Sequence, residues 1–155
     1  MAEQRRDGAA GALVELYGVP LDAFLGRRKE LAAQLRAAGD AAGAKAVAAA
    51  AKPTRTAWAL GLVARRRPEL VKALVDARDA AAEVQGGGQA DALRATQKAY
   101  RDRVAEVLAA AKAILDEAGL EANAIQVRRM GETLQTDYSK PGAKKPTTAT
   151  TKKKP

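Results

Sequence analysis

Neither cysteine nor histidine occurs among the 155 residues. Without thiols there is no disulfide framework and no pointer to an oxidising compartment. Losing both residue types also removes the commonest general base, the commonest metal ligand and the thiol nucleophile. Carboxylates remain, but Asp76 with Asp79 and Asp116 with Glu117 have the spacing of ordinary solvated helix faces, and no stretch resembles a calcium loop. Gly86, Gly87 and Gly88 lack the Gly-Lys-Ser/Thr that completes a phosphate-binding loop, and read instead as a hairpin between helices. The sequence therefore predicts a protein that is not an enzyme, with no cofactor, no metal site and no small-molecule substrate.

Aromatic residues are scarce at 3%, against 47% apolar residues in all. Alanine supplies most of that apolar share, and each alanine buries little area, so the core is expected to be thin. Strand-favouring β-branched and aromatic residues are confined to short clusters, while Ala, Leu, Arg, Glu, Lys and Gln favour helix. An all-α fold follows. The length suits one domain rather than two. Long apolar runs are missing too: AWALGLVA, residues 57–64, is under half of the ~20 residues that cross a bilayer. The opening MAEQRRDGAAGALVELYG has neither the apolar stretch nor the cleavage pattern of a secretory signal. The expected location is cytoplasmic, with no membrane partner.

Acids are absent from the last 17 residues, and that absence is informative. Residues 139–155 carry Lys140, Lys144, Lys145, Lys152, Lys153 and Lys154 and hold +6 of the formal +9 charge. The other 138 residues are close to balance, 21 bases against 18 acids. With only Ser, Lys, Pro, Gly, Ala and Thr to offer, this tail cannot offset the entropy of ordering, and the sequence predicts it to be disordered. Residues 1–138 are expected to form the helical domain, and the basic tail to grip a polyanion.

Punctuation divides the domain into six or seven helices. A short one is expected over 9–17, ended by Gly18 and Pro20. The next carries Leu21, Phe24, Leu25, Leu31, Ala32 and Leu35 at helical spacing, with Arg28 on the same stripe, where it fits a side chain that snorkels along the core edge or pairs with an acid. Gly39 suits a C-cap and Asp40 an N-cap for a helix over 41–51, which Lys52 and Pro53 stop. Thr54 can cap a helix to about residue 66, and Pro68 and Glu69 open another to about residue 84. The longest helix is expected over 90–118. Leu93, Tyr100, Val107 and Ile114 recur in it every seven residues, so it should fold back on its predecessor as a long helical hairpin. A last helix is expected over 121–136.

The helix after Thr54 raises two competing readings. From Ala57 to Ala64 it is apolar on every face, which predicts a central, buried helix. Ala57 and Gly61 would then admit a neighbouring helix at close range. A groove-reading helix needs a polar face, and only Thr54, Arg55 and Thr56 supply one. Cations at a helix C-terminus favour the macrodipole, which alone can account for Arg65, Arg66 and Arg67. Residues 41–68 nonetheless hold Lys45, Lys52, Arg55, Arg65, Arg66 and Arg67 with no acid after Asp40. If the two helix ends reach one surface, the body carries a basic patch.

The segments LVELYGVPLDAFLGRRKELAAQLRAAGD, KPTRTAWALGLVARRRPELV and GETLQTD resemble a family of alanine- and arginine-rich helical proteins from high-GC actinobacteria. The resemblance implies a single helical domain and brings no activity and no site residues. KPGAKKPTTATTKKKP is similar in composition to the basic tails of linker histones and of bacterial nucleoid proteins. That likeness implies non-specific nucleic-acid binding in a nucleoid-associated role through the six tail lysines, with Arg55, Arg65, Arg66 and Arg67 of the body's basic patch as expected helpers; DNA is favoured over RNA, although RNA or the ribosome would satisfy the same charges. The other reading is a helical scaffold or adaptor whose long helix pairs with a protein partner or with its own copy.

Overall fold

The computed structural model describes residues 2–85 and 87–138. Among them the chain is all-α, with seven helices and one 3-10 turn at Leu21–Ala23, and no strand. The helices are α1 (Ala2–Leu16), α2 (Phe24–Ala37), α3 (Ala41–Ala48), α4 (Arg55–Arg66), α5 (Pro68–Val84), α6 (Ala90–Glu117) and α7 (Ala124–Tyr138). The expected disorder of residues 139–155, with their six lysines, lies outside the described residues. No helix among the described residues is long and apolar enough to cross a membrane.

Capping chemistry sets most boundaries. Gly39, at φ +80°, and Gly119, at φ +70°, turn the chain out of α2 and α6 in the left-handed region. There each lets the following amide reach back into the helix: Asp40 N–H to the Leu35 carbonyl and Leu120 N–H to the Leu115 carbonyl, both 2.8 Å. Asp40 then caps α3 by accepting from Gly43 N–H at 2.8 Å, and Thr54 caps α4 by accepting from Ala57 N–H at 3.2 Å.

Three boundaries depart from expectation. α1 begins well before residue 9, since nothing in its polar opening stops a helix. α3 ends at Ala48 rather than 51, and the Ala50 carbonyl is bound by the guanidinium of Arg28 at 2.8 Å. α7 starts at Ala124 because Asn123 and Gln126 exchange side-chain hydrogen bonds with each other's backbone N–H, 2.9 and 3.1 Å, a reciprocal cap.

With few large apolar side chains available, the core separates into two clusters. α1, α2 and α3 enclose Ala12, Leu16, Phe24, Leu31, Ala32, Val47 and Ala50. The second cluster lies among α4 to α7, built on Trp58, Leu62, Val63, Leu74, Val104, Val107, Ala111, Leu115 and Met130, with Leu21 from the 3-10 turn. α5 and α6 form the expected antiparallel hairpin and α4 packs on α6. Leu74 alone is fully buried in α5, and the buried positions of α6 begin only at Val104. The distal part of the hairpin thus has a half-buried seam of Ala81, Val84, Leu93 and Tyr100.

The expectation of a fully enclosed α4 is wrong. Trp58, Ala59, Leu62 and Val63 are buried, but Ala57, Gly61 and Ala64 face outward, and nothing lies within 4 Å of where a Cβ of Gly61 would stand. Two alanines and a glycine offer little apolar area, so leaving them in water costs little; the four side chains on the opposite face decide the orientation.

Two substitutions separate these roles. Gly61→Ala is expected to raise stability by about 0.5–1 kcal/mol through helix propensity alone. Gly43→Ala places a Cβ at 2.1 Å from Asp40 Oδ2, and is expected to lower stability by roughly 1–3 kcal/mol through the lost cap and the overlap. Urea midpoints at unchanged m-value check both. A third test concerns Tyr100, whose hydroxyl oxygen is buried without a hydrogen-bond partner among the described residues. Burial raises its pKa above the ordinary 10.0. The neutral phenol's contribution is therefore present below that value and lost as pH rises through the folded-state pKa. Tyr100→Phe is expected to hold or slightly raise stability at neutral pH and to flatten the loss above pH 10, read by denaturation at several alkaline pH values.

Candidate nucleic-acid interface

Charge is segregated along the chain far more sharply than the near-balance of residues 1–138 indicates. Residues 23–68 contain ten bases and two acids, Glu30 and Asp40, for a net +8. Asp40 is buried as the α3 cap. Residues 1–22 and 69–138 together contain 11 bases and 16 acids, a net −5. One stretch of the sequence, α2 through α4, thus carries the positive charge of the body, and the negative charge is divided between residues 1–22, at −2, and residues 69–138, at −3.

Pairing sharpens the contrast. On the hairpin and α7, cations meet carboxylates one turn away: Lys72 with Asp76 at 2.7 Å, Lys98 with Asp102 at 2.8 Å, Arg103 with Glu106 at 2.9 Å and Arg128 with Glu132 at 3.1 Å. The ammonium of Lys98 holds the Asp102 carboxyl below its usual range, and Asp76 raises the Lys72 pKa. Between α2 and α4, by contrast, Lys29, Arg36, Lys45, Lys52 and Arg55 join no ion pair among the described residues. Ahead of the arginine run at 65–67, Arg27 is the exception. It bonds to Glu30 and Glu15, which raise its pKa in that order.

Each member of the arginine run has a local partner. Arg65 donates to the Val14 carbonyl near the C-terminus of α1, where a cation also meets the helix macrodipole. Arg66 lies 3.8 Å from Glu117 at the end of α6. Arg67 pairs with Glu69, whose carboxyl that guanidinium holds below its usual range. Arg55 lies at the opposite end of α4 and joins no ion pair among the described residues.

Two clefts lie in the positive region. The larger, of about 540 Å³, is lined by Lys52, Arg55 and Arg66, by Leu21, Trp58 and Ile114, and by the acids Asp22 and Glu117. Arg55 and Arg66, from opposite ends of α4, therefore do reach one cleft. Trp58 is 6% exposed there, and its Nε1–H is occupied by the Val19 carbonyl at 2.9 Å, so its ring is a wall and offers no free stacking face. The smaller cleft, of about 170 Å³, lies between α2 and α3, lined by Arg28, Lys29, Ala32, Arg36 and Ala48 and by no acid. Among the described residues no group of three carboxylates is placed to hold a metal ion.

No family model, curated protein or solved structure matches this chain. The residues themselves carry the reading. Of the body residues singled out from the sequence, Arg55 is unpaired and lines the large cleft, whereas Arg65 and Arg67 are engaged in holding helices and turns. Arg28 reaches a backbone carbonyl at the core edge, in keeping with its place on the apolar stripe. Arg36 escaped sequence reasoning. The signal was its spacing, since Arg28, Ala32 and Arg36 are four apart and so share a helix face.

Trp58→Phe keeps the ring in the core and removes the N–H that satisfies Val19. Stability is expected to fall by about 1–3 kcal/mol, the penalty of leaving a part-buried carbonyl unpaired. A thermal or urea transition indistinguishable from the parent protein would show that this bond does not hold the loop to α4.

Proposed function

We infer that the protein binds nucleic acid without sequence preference and without catalysis, duplex DNA being the favoured polymer and the bacterial nucleoid the place where it acts. The observation that supports this most directly is the one-sided charge: +8 on residues 23–68 and +6 on residues 139–155, set against −5 elsewhere. Lysines and arginines that neutralise phosphates release condensed counterions, and this entropy drives association. Such contacts position a protein on a duplex and read no bases. The hairpin, its charges largely paired along its own helices, adds little field of its own, so the α2–α4 side is the one that a polyanion meets as attractive.

A second reading, a helical adaptor, has its own support in the half-buried distal seam of the α5–α6 hairpin, which another apolar helix surface could cover. Salt separates the two. Nucleic-acid binding collapses in about 1 M salt, whereas an apolar helix interface persists or strengthens.

The decisive experiment titrates duplex DNA with the full chain across a range of salt concentrations and repeats it with all six tail lysines replaced by glutamine. Six phosphate contacts from the tail give a log–log slope contribution of about −5, which the replacement should remove. Failure of the unaltered chain to bind DNA at low salt, with self-association or protein capture surviving high salt, would leave the adaptor reading in its place.

A further inference from the structure

Arg28, Ala32 and Arg36 lie on one line along α2, with Lys29 beside it. The two arginines are separated by about 12 Å along the axis, eight residues at 1.5 Å each. Between them Ala32, only 3% exposed, makes a floor low enough for the small acid-free cleft to open. Arg28 spends one N–H on the Ala50 carbonyl and keeps the rest of its five donors. That same bond pins α2 to the connection between α3 and α4. Two residues beyond Ala50 comes Lys52, followed by Arg55, and both line the larger cleft. The Arg28–Ala50 bond thus ties the small cleft to the connection whose next cations line the larger one, and Lys29, Arg36, Lys52 and Arg55 join no ion pair among the described residues.

We propose that this path is a phosphodiester track, along which the backbone of one nucleic-acid strand runs beside α2, over the Ala50 turn and into the larger cleft. The inference rests on the nucleic-acid reading above and moves the body's contact from Arg65 and Arg67 to residues 28–36 and 52–55. Charge spacing supports it. One strand of duplex DNA carries a charge every 3.4 Å of axis, roughly twice that along the winding backbone itself, so the 12 Å of α2 faces about two to three phosphates and offers three cations. Donors spread along a line suit a polymer, whereas a single small anion needs donors converging on one point. An anionic membrane fits less well, because an interfacial helix needs a broad apolar face. Of the exposed large aliphatics, Leu25 alone belongs to α2.

The test uses the full chain carrying Lys29→Gln, Arg36→Gln and Arg55→Gln, three exposed side chains that join no ion pair among the described residues; Arg28 is kept because its bond holds the Ala50 turn. On duplex DNA the salt slope is expected to shrink by about 2.7, and on single-stranded DNA by about 2.1, that is 0.9 or 0.7 per phosphate. A control with Arg94→Gln, Lys98→Gln and Arg101→Gln on α6 removes the same charge from the acidic half and should leave the slope unchanged. Equal losses in both variants would make net charge the cause and overturn the track. So would an unaltered slope in the first variant when neutralising the tail lysines abolishes binding; nucleic-acid binding would then stand, carried by the tail alone. No DNA binding by the parent chain removes both inferences, and binding to phosphatidylglycerol vesicles in its place reassigns the surface to a membrane. Should the variant lose its helical circular dichroism, amide NMR shifts of the parent chain decide instead. On adding a short duplex, shifts at residues 28–36 and 50–55 support the track, and shifts confined to other segments overturn it.

Discussion

The hydrogen bond from Trp58 Nε1–H to the Val19 carbonyl, 2.9 Å, is the joint on which the rest of the arrangement depends. A chain with so few large apolar side chains cannot fill one continuous core, and it forms two clusters instead. The Trp58 ring belongs to the second, and Val19 packs against the first. Leu21 and the Arg65–Val14 contact fasten the same seam from either side. A part-buried carbonyl left without a donor is expensive, so this seam resists sliding more than an apolar contact of equal area would. The large cleft exists because the joint holds residues 18–22 against α4 and the end of α6.

The distribution of ion pairs follows from the same scarcity. On the hairpin, helix faces not needed for burial carry carboxylates and cations one turn apart, each pair contributing only a few tenths of a kcal/mol and screened by salt. Their net effect on a partner is weak because the charges cancel locally. Residues 23–68 lack those carboxylates, and the field of their cations extends outward. The difference between the halves lies in whether the charges are neutralised, since the hairpin is also rich in Lys and Arg.

Much of the helical order was legible in advance. The starts of α4 and α5 could be read from Thr54 and Pro68, the long α6 from its seven-residue repeat, and the caps at Gly39 and Asp40 from residue type. The start of α7 turned on a reciprocal Asn123–Gln126 cap that lacks the usual Ser or Thr. α4 misled because alanine counts as apolar in a periodicity argument while contributing little to burial, so Ala57, Gly61 and Ala64 concealed an ordinary amphipathic helix. For the candidate interface, sequence identified an acid-poor basic stretch and gave prominence to the conspicuous arginine triplet. Which cations are free is a tertiary property. Arg65 is consumed by a carbonyl 51 residues earlier and Arg66 lies beside an acid 51 residues later, and no local pattern announces either.

The hairpin's uneven burial divides the molecule in another sense. α6 is 28 residues long, about 42 Å, yet its enclosed positions start only at Val104, so its first half is held by the half-buried seam of Leu93 and Tyr100 with Ala81 and Val84 of α5. Opening that end exposes little apolar surface, and the native state need not unfold as a unit. Amide exchange should run fastest on both sides of the glycine turn and slow progressively toward Leu74 and Leu115, giving the protein a loose end and a tight end on a single continuous helix.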